Sequence, residues 1–177
     1  GNNTAKYLVE DYVLNKRFEG CLMSENEVYW RYVPDKVVLG YLSPELCERV
    51  KAKVSNFGIT QDLSHMPLLH ENAQEMLAPT VDHLIHVHVG NAAMDDTEHS
   101  AYGDKHPGFG YPGSRNNVED LARFLETLIY VGYFDKDLPT DRPIVTFEVA
   151  PMPGEDSDLL VAGTKRVFHS AWSMIGG

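Results

Sequence analysis

The sequence predicts an α/β fold in which helices cover a parallel sheet. Three observations lead there: short, nearly continuous apolar runs of strand length, a recurring strand–loop–helix order, and acids and histidines at the strand ends. Continuous apolar runs mark strands covered on both faces, and in such sheets chemistry collects where strand C-termini meet their loops.

Taken in order, Ala5–Arg17 carries Tyr7, Leu8, Tyr12, Val13 and Leu14 at helical spacing. A further strand is expected between Gly20 and Tyr32, within a segment that mixes Glu25 and Glu27 with Tyr29, Trp30 and Tyr32. Ser43-Pro44-Glu45 supplies an N-cap, a first-turn proline and a first-turn acid for a helix to about Ser55. A strand follows at Phe57–Asp62, then a short helix around Asn72–Leu77 and a strand at Leu84–Val89. Asn91–Asn117 is rich in Gly, Pro, Asp and His without periodicity, and loops of that length in a domain are usually functional. Val118–Val131 reads as an amphipathic helix with Leu121, Phe124, Leu125, Leu128 and Ile129 on one face. Pro143 opens a strand at Ile144–Val149, and a helix from Ser157 to Met174 closes the chain, with Glu155 and Asp156 serving its positive end.

The 177 residues fit one domain, 1–177, but fall short of the roughly 250 of a complete eight-unit βα barrel. With 15 Lys and Arg against 26 Asp and Glu the net charge is −11, which argues against a phosphate-backbone binder, so no nucleic-acid partner is expected. No apolar run reaches a membrane span and none reads as a signal peptide, so a cytoplasmic location is expected. Cys21 and Cys47 lack the spacing of a zinc site or a disulfide framework.

The chemistry lies in the strand ends. Asp62-Leu63-Ser64-His65 closes the first confident strand, His86-Val87-His88 lies in the second and runs into Gly90-Asn91, and Phe147-Glu148-Val149 ends the third. Carboxylates with imidazole are a natural ligand set for Mn²⁺, Zn²⁺ or Mg²⁺. Singly, an Asp after a strand caps a helix and a strand His is a core residue; jointly, at three successive strand ends, they point to a metal site. Glu148, flanked by Phe147 and Val149, is expected to be buried, which is costly without a partner. In the long loop, Asp104-Lys105-His106 has a spacing that can bring a carboxylate and an imidazole to one ion, with His65 as a third ligand. His70, His83, His99 and His169 have no spacing partner.

These motifs, with Tyr102-Gly103-Asp104-Lys105-His106-Pro107, resemble the xylose-isomerase-like, or AP-endonuclease-type, superfamily over roughly Asp35 to Trp172. The resemblance implies a (β/α)₈ barrel of which this chain carries the later part, the earlier strands being missing or supplied by a partner subunit or a second copy. It implies one divalent ion, Mn²⁺ foremost and Zn²⁺, Mg²⁺ or Co²⁺ as alternatives. The ligands carried over are Asp62, His88 and Glu148, with Glu27 the candidate for a preceding fourth. His65 corresponds to a substrate-binding histidine, and in the endonuclease-like members its equivalent joins a pair matching Asp104 and His106 on a second metal. The implied reaction is isomerisation or epimerisation of a small sugar through an enediolate, with Glu148 and Glu27 moving the proton. Ala92-Ala93-Met94 stand where epimerases of this family often carry an Arg, so Lys105 or His106 is expected to orient the substrate instead.

Three other readings compete. A lyase of the C-glycoside deglycosidase or inosose dehydratase type would use the same metal and base. A multi-metal phosphodiesterase is disfavoured by the acidic balance, and a degenerate binding barrel by the retained Asp62, His88 and Glu148.

Overall fold

The computed structural model describes Ala52 and residues 58–138 and 140–176. The expected helix at Ala5–Arg17, strand between Gly20 and Tyr32, and residues Cys21, Glu27 and Cys47 lie outside the described residues. So does the Ser43–Ser55 helix, apart from Ala52, which is helical. The chain divides at Ile59–Thr60 into two units, and Thr60–Gly177 holds nearly all that follows.

The elements are β1 (Ile59–Asp62), α1 (His65–Leu69), α2 (Ala73–Thr80), a 3₁₀ turn (Val81–His83) and β2 (Leu84–Val89). They continue with α3 (Val118–Tyr130), a second 3₁₀ turn (Tyr133–Asp135), β3 (Val145–Phe147) and α4 (Ser157–Ile175). The strands form one parallel sheet in the order β1-β2-β3. The α/β class and parallel sheet therefore match expectation, whereas the described residues form three strands and not a closed barrel.

Register between β2 and β3 pairs Val87 with Val145, His88 with Thr146 and Val89 with Phe147. Because strand residues alternate sides, His86 and His88 share one face of the sheet with Thr146 and Glu148. The opposite face presents the buried Val87 and Val89 to a core of Leu121, Phe124, Leu125 and Leu128 from α3, joined by Val167, Phe168 and Ala171 of α4. Apolar packing thus occupies one side of the sheet, leaving the other for polar chemistry.

β3 is shorter than the expected Ile144–Val149, since Ile144 is exposed at its start, although the Glu148 N–H still donates to the Val89 carbonyl at 3.0 Å. α3 begins with a capping box in which Asn117 and Asp120 each accept from the other's backbone N–H. One residue of its expected core face is corrected: Ile129 is 48% exposed, because the helix turns it past the edge of the packed stripe. α4 starts where Asp156 Oδ1 accepts from the N–H groups of Asp158 and Leu159, the role expected of the acids there.

The long loop is anchored at both ends by two buried asparagines. Asn91 accepts from the N–H of Ala92 and Asn116 and donates to the Asn116 carbonyl at 3.0 Å. Asn116 Nδ2 lies 3.0 Å from the carbonyls of both Leu63 and Gly90, tying the loop's end to the ends of β1 and β2. Within the loop, Ala93 bridges to Tyr102 and to Ser114.

Candidate metal centre

Asp62 is the last residue of β1, and the chain turns directly into α1, carrying His65 one turn on. Asp62 Oδ1 accepts from the Ser64 N–H at 2.8 Å, an Asx turn that fixes the carboxylate plane. The other oxygen, Oδ2, is buried and accepts no hydrogen bond; His65 Nε2 lies 3.4 Å from it. With the His65 imidazole 3.4 Å away and no hydrogen bond accepted, this buried oxygen is able to take a cation.

His88 comes from β2, and its Nδ1 meets Glu148 Oε2 in a close contact across the strand pair. The side chain of Glu148 is 38% exposed, which corrects the expectation of a buried acid: it stands one residue beyond β3, at the open end of the sheet. The loop supplies Asp104 and His106. His106 Nε2 lies 2.8 Å from Asp104 Oδ1 and 3.7 Å from Glu148 Oε1, and His65 Nε2 lies 3.2 Å from the same Asp104 oxygen. His106 holds this place in a left-handed backbone conformation, φ 52°, which is strained for a residue with a side chain. Its carbonyl accepts from Ala150 N at 2.7 Å, which pins it against the segment after β3.

Two groups of donors therefore come together, Asp62 with His88 and Glu148, and Asp62 with His65 and His106. Within each group one ligand atom per residue lies within 4.8 Å of the others. Asp62 belongs to both. Carboxylate and imidazole donors at that spread fit a divalent ion such as Mn²⁺ or Zn²⁺, and Asp62, whose Oδ2 accepts no hydrogen bond, is the residue the two groups share.

The electrostatics agree with this arrangement. Burial by itself would lower the His65 imidazole, but its bond to Asp104 and the charges of Asp62, Asp104 and Glu148 outweigh burial and hold it above its ordinary value. His106 is raised likewise, with the Asp104 bond and the charges of Glu148, Asp62 and Asp104 overcoming burial. Hydrogen bonds from His106 and His65 hold Asp104 far below the usual carboxylate range. His86 moves the other way, lowered by burial and by its neighbour His88, and its Nε2 bonds Thr146 Oγ1 at 2.7 Å.

Of the residues singled out in the sequence, Asp62, His65, His88, Asp104, His106 and Glu148 meet in this cluster. Lys105 is exposed, and Glu27 lies outside the described residues. Ser64, Thr146 and Asn116 were not singled out, though Ser64 stands inside the D-x-x-H motif and touches Asp62 and His106. Gly90 has a steric reason: a Cβ there would stand 2.4 Å from the Glu148 carbonyl oxygen, so only glycine lets β2 pass so close to this ligand. No family model, curated protein or solved structure matches this chain.

Proposed function

We propose that this chain is the later part of a xylose-isomerase-like barrel and a divalent-metal-dependent isomerase or epimerase of a small sugar. The observation that carries the reading is the convergence of Asp62, His88 and Glu148 at the ends of three successive parallel strands. Asp62, His88 and Glu148 are the residues that would hold the ion, with Mn²⁺ first among the metals. When bound, it would polarise a ketose carbonyl and its neighbouring hydroxyl, making the hydrogen between them acidic.

The chain's own groups then divide the work. Glu148, partly open to solvent while its Oε2 contacts His88, is placed to take that proton from the substrate carbon. His65 and His106, whose imidazoles the surrounding carboxylates raise, would hold substrate oxygens or join Asp62 on a second ion. Glu27 is the candidate for returning a proton on the opposite face. Ala92 and Ala93 are buried and Met94 is half-buried, so no cation stands at the position that would otherwise bind the sugar.

A second reading is a lyase acting on an oxidised sugar with the same metal and base. Incubating Mn²⁺-loaded protein with ketoses in D₂O separates the two. Solvent deuterium at the carbon beside the carbonyl supports the isomerase; its absence, with release of a β-substituent from an oxidised glycoside, supports the lyase.

A further inference from the structure

Ser64 touches two members of the cluster, Asp62 and His106. Its backbone N–H donates to Asp62 Oδ1 at 2.8 Å, and its hydroxyl lies 3.0 Å from His106 Nδ1, across 42 positions of sequence. Each contact occupies the atom that faces away from the centre. Asp62 is left with Oδ2 toward His65, and His106 with Nε2 toward Asp104 and Glu148.

We propose that Ser64 is the positioning residue of the metal centre, holding Asp62 and His106 so that Oδ2 of one and Nε2 of the other face an ion in the Asp62, His65 and His106 group. An imidazole that gives Nε2 to a metal carries its hydrogen on Nδ1, and that N–H needs an acceptor. The Ser64 hydroxyl is the acceptor in place. A hydroxyl both donates and accepts, so it satisfies Nδ1 whether or not that nitrogen bears the hydrogen. Ser64 therefore serves the metal-bound and metal-free forms without moving.

The series Ser64, His106, Asp104 also invites comparison with a nucleophilic serine, but the geometry rules against that role. Ser64 is 1% exposed, so no substrate reaches its oxygen. Its backbone is committed to Asp62, and the Asp104 oxygen is shared with His65 rather than reserved for His106. A fluorophosphonate probe that labels Ser64 would overturn the positioning role.

The inference rests on the metal reading of the site, and the test keeps the two apart. Zn²⁺ affinity is measured by chelator competition on the full chain for the native protein, Ser64→Ala and Ser64→Cys. Ser64→Ala keeps the backbone N–H to Asp62 and loses only the hydroxyl. It is expected to bind Zn²⁺ roughly 10- to 100-fold more weakly, the usual effect of removing an outer partner of a ligand. The metal-free form loses the same hydrogen bond and should melt somewhat lower, and Ser64→Cys should recover part of the affinity. A lowered metal-free melting temperature with unchanged affinity would mean an ordinary packing role and would overturn the proposal. Native protein that binds no Zn²⁺ would remove the metal reading itself. Should Ser64→Ala not fold, the native protein decides by long-range ¹H–¹⁵N NMR of the zinc-loaded form. A His106 ring carrying its hydrogen on Nδ1 supports the proposal; hydrogen on Nε2 refutes it.

Discussion

Asp104 Oδ1 lies 2.8 Å from His106 Nε2, and this contact sets the charge balance of the whole cluster. His106 and His65 are raised above 6.5, so both bind protons more tightly folded than unfolded. Their stabilisation is complete below about pH 6.5 and is lost as pH climbs through the raised folded values. Asp104 is depressed, so its share is present above about pH 4 and is lost only as pH falls through its folded value. In metal-free protein the melting temperature should therefore fall as pH rises above about 6.5, and Asp104→Asn should flatten that fall. Zn²⁺ affinity should run the other way, rising over the same range, because protons compete for the same nitrogens.

Asp62→Asn should separate binding from stability above about pH 6.5. The substitution removes a charge that lies 3.4 Å from His65 Nε2 and helps raise His65 and His106, so the metal-free protein should lose stability below about pH 6.5 and melt closer to the native one at higher pH. Metal content after dialysis, read by mass spectrometry, should drop severely, since both donor groups lose their common member. A native metal content in this variant would show that the ion sits elsewhere.

Gly90→Ala should damage the fold and the site together. The added Cβ meets the Glu148 carbonyl oxygen at 2.4 Å, and the two strands must part to admit it. Overpacking of this kind costs about 1–3 kcal/mol. Urea unfolding should register that loss, and metal affinity should fall because Glu148 moves with its backbone. An unchanged midpoint would contradict the close passage of β2 past Glu148.

Lys136→Met provides the opposite control. Lys136 Nζ donates to the Val81 carbonyl and, at 2.8 Å, to the Leu84 carbonyl, closing the turn that feeds β2 from the end away from the site. Leaving those acceptors unpaired should cost about 1–3 kcal/mol in urea unfolding. Metal affinity should hold, since His88 lies at the far end of the strand.

Much of the site could be read in the chain because strand ends are visible in sequence. The apolar run Leu84–Val89 has the observed bounds of β2, and Asp62 and His88 follow from β1 and β2. α1 was hidden, since five residues beginning His65-Met66-Pro67 hold too little periodicity to distinguish a helix from a loop. Glu148 was misjudged as buried because its apolar neighbours describe a strand that in fact ends one residue earlier. The clamp of Asn91 on Asn116 carries no local signature, because its bonds join residues that only the folded sheet brings together. Ser64 belongs to the same class: its hydroxyl partner lies 42 positions away, and nothing in a serine after a strand points to it.

The placement of the donors has a consequence for how the chain holds its shape. Asp62, His88 and Glu148 belong to segments separated by most of the described chain, so an ion bound to them would act as a removable cross-link. A cross-link limits the conformations open to the unfolded chain, and the entropy it removes grows slowly with the length of the loops it closes. Between β2 and β3 the enclosed stretch includes the long loop and α3, both of which would be drawn into one cooperative unit. Loading and stripping such an ion would then switch the outer parts of the sheet between joined and independent unfolding.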